Sequence, residues 1–275
     1  MTASQADKAL RLRELHAGPR AFVIANAFDP GSAALLTQLG FSALATSSGA
    51  AAGVLGRKDG QLSRDEALAH ASAIAAASEL PVSADLENGF GDSPDDVAET
   101  IRRAGATGIV GASIEDHSGE KGAPLYPIEH AAARIAAAVH AARSLPFTGF
   151  AITARAENFF RGHPDLADTI ARLRAYAEAG ADCLYAPGIQ SRDDIAAIVA
   201  AVAPKPVNLL VGATSAFTLA DIAALGVRRV SVGGALARSA WGGFMRAAQA
   251  LAEQGSFDGF AGAASGAELD ALMRD

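Results

Sequence analysis

One pattern recurs along the chain and limits its fold more than any other feature. A short apolar run typical of a buried strand is followed by a polar turn and then by a longer run typical of a helix. Glycine follows several of the helical runs, at Gly40, Gly105, Gly180 and Gly226, where it ends a helix without steric cost. Strands and helices that alternate in this way form parallel sheets covered by helices. The sequence therefore predicts an α/β fold.

The number of repeats favours one α/β architecture over another. Eight strand–helix units predict a closed (β/α)8 TIM-type barrel. A doubly wound open sheet usually has fewer strands and a glycine-rich phosphate turn after the first one, whereas this chain reads NAFDPGS there. The predicted strands are 21–25, 41–46, 80–84, 108–114, 149–153, 182–185, 206–210 and 229–232.

The predicted helices complete the barrel and leave an extra segment at the end of the chain. They span 4–17, 32–39, 64–79, 94–104, 128–143, 165–179, 193–203, 219–225 and 235–254. Residues 257–275 add a short helix beyond the eight units, which we expect to pack on a neighbouring subunit. We expect residues 1–275 to form a single domain with this C-terminal helical tail.

Composition and charge exclude several classes of protein. The net charge of -7 and the absence of a basic stripe argue against a nucleic-acid partner. No window reaches the roughly 18 apolar residues that a membrane span needs, and the N-terminus lacks an apolar signal core, so we expect a cytoplasmic protein with no membrane partner. The single cysteine, Cys183, cannot form an internal disulfide and is predicted to be a small buried side chain.

Two acidic residues follow the third predicted strand. Asp85 and Glu87 precede Gly89 and Gly91, and two residues apart on an extended strand they would project to the same side. Like charges placed so close need a cation, and carboxylate oxygens select Mg²⁺, or Mn²⁺ in its place. The alternative is a loop of solvated acids.

Further polar residues fall at the carboxyl ends of other predicted strands, where barrels of this type carry their active sites. Arg155 can pair with a substrate carboxylate, or form a structural ion pair with Glu157 or Glu115. Asn208 can bind substrate or only close a strand-end hydrogen bond, and His117 can move protons or be solvated. The candidate set at these ends is Ser47, Ser48, Gly49, Asp85, Glu87, Glu115, Asp116, His117, Arg155, Glu157 and Asn208.

Six stretches in the right order resemble the isocitrate lyase/phosphoenolpyruvate mutase superfamily. They are NAFDPGSA, TSSGAAAGVLGRKDG, ADLENGFGD, GASIEDHSGEKGAPLYP, ITARAENF and GVRRVSVGGALARSA. The resemblance implies a (β/α)8 barrel in a homo-oligomer, a dimer or tetramer, with the last helix exchanged between subunits. It also implies Mg²⁺ and a small 2-oxo or 2-hydroxy carboxylic acid that reacts through an enolate-like species.

The resemblance also implies roles for individual residues. Metal ligands would be Asp85, Glu87, Glu115 and Asp59, with Glu87 standing where an aspartate is usual. Arg155 would bind the substrate, and the turn from Ser47 to Gly49 would receive its carboxylate. Lys121 would lie on the gating loop, so that the catalytic residues would be Arg155, Glu115, His117 and Lys121.

Departures from the family pattern affect the predicted reaction. The lyase branch has a proton-donating cysteine on the gating loop, where this chain has Ala123, and a glutamate after the sixth strand, where it has Pro187. The mutase and hydrolase branch would have an asparagine in place of Ala123. Because alanine cannot move a proton, we expect a reaction whose leaving group needs no acid, such as decarboxylation of oxaloacetate.

Two alternatives remain open at this point. One is a carbon–carbon lyase of the methylisocitrate lyase type with another proton donor, such as His117 or Tyr126. The other is a protein that binds a 2-oxo acid such as 2-oxoglutarate with little turnover. Clustered acids without a function would repel one another, which argues against a binding protein that only retains the remains of an enzyme site.

Overall fold

The computed structural model describes residues 3–273 and confirms the predicted (β/α)8 barrel. Eight parallel strands pair in chain order and close with β8 against β1. The strands are β1 (Phe22–Asn26), β2 (Ala43–Ala45), β3 (Val82–Asp85), β4 (Gly111–Glu115), β5 (Ala151–Arg155), β6 (Cys183–Tyr185), β7 (Val207–Leu210) and β8 (Arg229–Ser231).

Helices surround the barrel, and side-chain caps fix where many of them begin. Ser63 and Ser93 are each the N-cap of a capping box. The serine side chain accepts from the amide three residues on, and the acidic side chain of that residue accepts from the serine amide. The helices are α1 (Gln5–Ala17), α2 (Pro30–Gln38), α3 (Ser48–Val54), α4 (Arg64–Ala76), α5 (Pro94–Ala104), α6 (Ile128–Arg143), α7 (Leu166–Glu178), α8 (Arg192–Val202), α9 (Leu219–Ala224), α10 (Ala235–Gln254) and α11 (Gly266–Leu272).

The amino end of the barrel is closed by apolar packing, which leaves the carboxyl end open. Leu12 of α1 packs with Phe22, Ile24 and neighbouring small side chains at the closed end. The larger core lies between the strands and the outer helices. Any cavity inside the barrel therefore opens at the carboxyl ends of the strands.

Two local expectations differ from the structure. Residues 47–50 were expected to form a turn, but Ser47 is instead the N-cap of α3, because its side chain accepts from the Ala50 amide. Strand β3 ends at Asp85, and Glu87 adopts a positive φ of 49°. The backbone therefore turns before Glu87, so strand alternation is not what brings this side chain toward Asp85.

The end of the chain folds back on the same chain in this structure. A short 3₁₀ helix, Asp258–Phe260, precedes α11, and Met273 lies beside Gly31 of α2. Helix exchange between subunits stays a prediction, as does a single domain over residues 1–275. No helix within residues 3–273 combines the length and apolar character required to cross a bilayer.

Candidate active site

A cavity of about 380 Å³ opens at the carboxyl ends of the strands. Predicted site residues that line it are Ser47, Ser48, Gly49, Asp59, Asp85, Arg155 and Asn208. The structure thus brings together side chains from β3, β5 and β7 with the segment after β2. Glu87, Glu115, His117 and Lys121 are not among the residues that line the cavity.

Arg155, the last residue of β5, is the most heavily paired side chain at this site. Its Nη1 lies 3.2 Å from Glu115 Oε2 and 3.5 Å from Asp85 Oδ1, and its Nε donates to Glu157 Oε1. Burial alone would lower its pKa, but Glu115 and Glu157 raise it well above the usual value. Arg155 is therefore a permanent cation, and both the expected ion pairing and contact with the cavity are present.

Asp85 is held by two groups that follow β2 and by one on β4. The Ser48 amide donates to its Oδ2 (3.1 Å), and the Ser113 hydroxyl donates to its Oδ1 (3.3 Å). Its own amide donates to Thr46 Oγ1 (2.9 Å). These contacts fix the carboxylate at the cavity wall. They also engage one of the amides that the sequence assigned to a substrate carboxylate.

Glu87 lies near Asp85 and Asp59, the two aspartates that line the cavity. Burial, with the nearby charges of Asp85 and Asp59, raises the pKa of Glu87 to about 7. Oxygen donors that repel one another in this way suit a hard divalent cation. No three His, Cys, Asp or Glu side chains within residues 3–273 lie close enough to hold a metal together. Mg²⁺ bound here would therefore have few direct protein ligands and would keep several of its own waters, as this ion commonly does.

Glu115 faces arginines and a histidine. Besides Arg155, its partners are Arg161 Nη2 (3.2 Å) and His117 Nδ1 (3.7 Å). Burial raises the pKa of Glu115, while the two arginines act in the opposite direction. Glu115 thus contacts Arg155, which lines the cavity, but Glu115 itself does not line it. Its assignment as a metal ligand stays a prediction.

The remaining predicted residues are placed differently. Asn208 is buried, accepts from Arg229 Nε (2.8 Å) and donates to Ser231 Oγ (2.9 Å). Lys121 is exposed on the loop between β4 and α6, where the Ser118 hydroxyl donates to the Ala123 carbonyl (2.5 Å). A catalytic role for His117 or Lys121 stays a prediction.

The sequence placed Asp116 and Glu157 at strand ends, and Glu157 was one expected partner of Arg155, but their other partners were not predicted. Glu157 is fully buried and accepts from both Arg155 and Arg161, and the i, i+4 spacing of Glu157 and Arg161 was the available signal. Asp116 accepts from Tyr176 (2.6 Å) and Arg172 (3.0 Å), which no local pattern predicts. These hydrogen bonds hold the residues that follow β4 and β5 in place.

Comparisons with known proteins agree with this architecture. The family model described as phosphoenolpyruvate phosphomutase matches residues 12–252. A Burkholderia cenocepacia J2315 protein, provisionally named a lyase/mutase, is 51% identical, with a TM-score of 0.93, 97% of this chain covered and 95% of that one.

Two further relatives have named activities. An oxaloacetate decarboxylase from Paraburkholderia xenovorans is 33% identical over 228 residues, which cover 80% of this chain and 73% of the relative. A phosphonopyruvate hydrolase solved with oxalate and Mg²⁺ is 29% identical, with a TM-score of 0.86, 96% of this chain covered and 94% of that one. The family model matches most of the chain, and the barrel superimposes on the lyase/mutase and the phosphonopyruvate hydrolase, so the chain belongs to the phosphoenolpyruvate mutase family of the isocitrate lyase/PEP mutase superfamily.

Proposed function

We propose that the protein is a Mg²⁺-dependent carbon–carbon lyase that acts on a small 2-oxo dicarboxylic acid, and that its reaction is decarboxylation of oxaloacetate. The observation that carries the proposal is the position of Arg155, a permanent cation that lines the cavity beside Asp85. The similarity to oxaloacetate decarboxylases supports the choice of reaction.

The chain's own residues have distinct parts in this proposal. The Arg155 guanidinium faces the substrate oxygens and stabilises negative charge as the enolate forms. Its three acidic neighbours hold it in place, so that little reorganisation accompanies the reaction. The segment from Ser47 to Gly49 borders the same cavity and receives the substrate carboxylate.

In the proposal Asp85 would be the principal metal ligand, and Asp59, Glu87 and Glu115, which do not lie close enough to hold one ion together, would act through water. Mg²⁺, when bound, supplies a Lewis acid that polarises a carbonyl oxygen. The Ser48 and Ser113 hydrogen bonds fix the Asp85 carboxylate at the cavity wall.

The residues available for proton transfer favour decarboxylation over other C–C cleavage. The Tyr126 hydroxyl, one alternative donor, donates to Asp92 (2.5 Å), and burial raises its pKa to about 12. Ala123 stands where the lyase branch has its cysteine. Because CO₂ departs without protonation, decarboxylation requires no acid at the leaving group, and water or His117 reprotonates the product.

We also propose a homo-oligomer. Helix α10 exposes Phe244, Met245 and Leu251, and the following segment exposes Phe257 and Phe260. Apolar side chains grouped in this way favour a protein–protein contact.

Product analysis tests the reaction. The protein is incubated with oxaloacetate and excess MgCl₂, and pyruvate is followed by NMR, with EDTA in a parallel sample. Arg155→Met is the matched variant, because it keeps the approximate side-chain length and removes the guanidinium. We expect pyruvate to form faster than with free Mg²⁺ only in the sample that contains the wild type and Mg²⁺. Oxaloacetate that binds without faster pyruvate formation would instead favour the ligand-binding alternative.

A further inference from the structure

Tyr185 is the last residue of β6, and its side chain lines the cavity. In the barrel it pairs with Arg155 of β5 on one side and with Asn208 of β7 on the other. The residue is only 7% exposed, and the centroid of its ring lies 5.3 Å from the guanidinium carbon of Arg155. A phenol therefore stands within cation–π range of the permanent cation of the site.

Few groups that line the cavity can donate a proton to a substrate. The charged side chains there are aspartates and arginines. Arginine does not lose its proton in proteins, and the aspartates belong to the metal site of the proposed function. No histidine, cysteine, lysine or glutamate within residues 3–273 lines the cavity. The other hydroxyls belong to serine and threonine, which are weaker acids than a phenol, so Tyr185 is the strongest neutral acid lining the cavity in this part of the chain.

The two donors that the sequence suggested lie outside the cavity. His117 does not line it, and the Nδ1 of this histidine lies 3.7 Å from Glu115 Oε1. Tyr126 does not line it either, and its hydroxyl donates to Asp92 (2.5 Å). A proton from either residue would have to reach the substrate through water, whereas a proton on Tyr185 can pass to it directly.

The order of the strands places Tyr185 on the side of the cavity that carbon 3 of a bound 2-oxo acid would face. In the proposed function the carboxylate lies at the segment from Ser47 to Gly49, directly after β2, and the keto oxygen faces Arg155. The eight strands close in chain order, so β6 stands opposite β2 across the barrel. Because carbon 3 follows the carboxylate and the keto carbon, it points from β2 toward β6.

The surroundings of Tyr185 keep its proton in place until a strong base forms. Burial raises the pKa of Tyr185 to about 12, although Arg155 acts in the opposite direction. The hydroxyl is therefore protonated at neutral pH, and a phenolate formed by proton transfer would lie beside the Arg155 cation. The carbon of an enolate is basic enough to take such a proton.

We propose that Tyr185 is the catalytic acid that protonates carbon 3 of the enolate after CO₂ has left. This inference rests on the proposed function, in which water or His117 would otherwise supply the proton. The electron pair of the enolate forms the new C–H bond while the Tyr185 O–H bond breaks, and the keto group of pyruvate is restored. The phenolate then regains a proton from water, which completes the cycle.

Exchange of the pyruvate methyl protons tests the proposal, because it uses the same proton transfer without breaking a C–C bond. Pyruvate is incubated with the protein and MgCl₂ in D₂O, and the methyl signal is followed by NMR. The wild type should exchange faster than Mg²⁺ alone. Tyr185→Phe keeps the ring and removes the hydroxyl, so exchange should be about 100-fold slower, the contribution of one general acid, while the calorimetric affinity for pyruvate stays within about twofold. Release of CO₂ from oxaloacetate should fall by less than about tenfold, because the proton is needed only after the C–C bond has broken.

Tyr126→Phe is the matched control, because it removes a tyrosine hydroxyl outside the cavity and should keep the wild-type exchange rate. Wild-type exchange no faster than with Mg²⁺ alone, or equal exchange in Tyr185→Phe and the wild type, overturns the proposal. Slower exchange that a loss of pyruvate affinity fully explains also overturns it, because Tyr185 would then only hold the substrate. Exchange that depends on Tyr185, without pyruvate formation from oxaloacetate, refutes the decarboxylation and leaves Tyr185 as the acid of another reaction through an enolate.

Discussion

His16 should make the stability of the protein depend on pH. This histidine lies in the last turn of α1, 9% exposed, with its ring edge-on to Phe22 at 5.5 Å and its Nε2 near Arg229. Burial, and then the charge of Arg229, lowers its pKa from 6.5 to about 3. The folded protein therefore resists a proton that the unfolded chain accepts.

The size of the effect follows from the two pKa values. Unfolding takes up a proton between about pH 6.5 and pH 3, so the contribution of His16 is complete above pH 6.5 and is lost as the pH falls through this range. The slope is about 1.4 kcal/mol per pH unit, which amounts to about 2 kcal/mol at about pH 5.

Urea denaturation at about pH 7.5 and about pH 5 measures this loss. His16→Gln keeps a polar side chain of similar reach but cannot titrate, so it should lose about 2 kcal/mol less than the wild type between the two pH values. His140→Gln, at an exposed position of α6, should behave as the wild type does. If His16→Gln and the wild type lose equal stability, the lowered pKa of His16 is refuted.

Two further predictions concern packing around the barrel. Gly53→Ala should lower the free energy of unfolding by about 1–3 kcal/mol through overpacking, because the new Cβ would lie 2.3 Å from Trp241 Cη2. It should also shift the fluorescence emission of this single tryptophan. Gly242→Ala, whose Cβ would meet only the flexible end of an arginine, should leave the emission unchanged. Arg134→Met should cost about 3 kcal/mol in urea denaturation, because this buried guanidinium donates to the carbonyls of the loop after β3, at Asn88, Gly91 and Asp92. A loss below 0.5 kcal/mol would show that water replaces those bonds.

The barrel could be predicted because its signals are local. Periodic apolar runs, serine caps and the glycines after helices each act over a few residues, and all of them indicate the same alternation. The short helix α3 was missed because its sequence, SGAAAGV, resembles a small-residue turn; it becomes helical where Ser47 caps it and Ala51 and Ala52 are buried.

The predicted site residues were found because they lie at strand ends, but their pairing could not be predicted from sequence. Asp85 and Glu87 were expected to interact through strand alternation; they interact instead because the chain turns at Glu87. Arg155 was expected to bind either substrate or a glutamate, and in the structure it faces the cavity while it contacts three acids.

Arg229 shows why the sequence alone does not predict which side chains of β8 line the cavity. In GVRRVSVGG two adjacent arginines stand in the last strand segment, and strand alternation sends one inward and one outward without indicating which. The register places Arg229 opposite Phe22 and Asn208, inside the barrel, whereas Arg228 donates to the Pro19 carbonyl at the exposed edge. A one-residue shift would turn Arg229 outward and bring either Arg228 or Val230 to its place, so the pairing of β8 with its neighbours determines which side chain reaches the cavity floor.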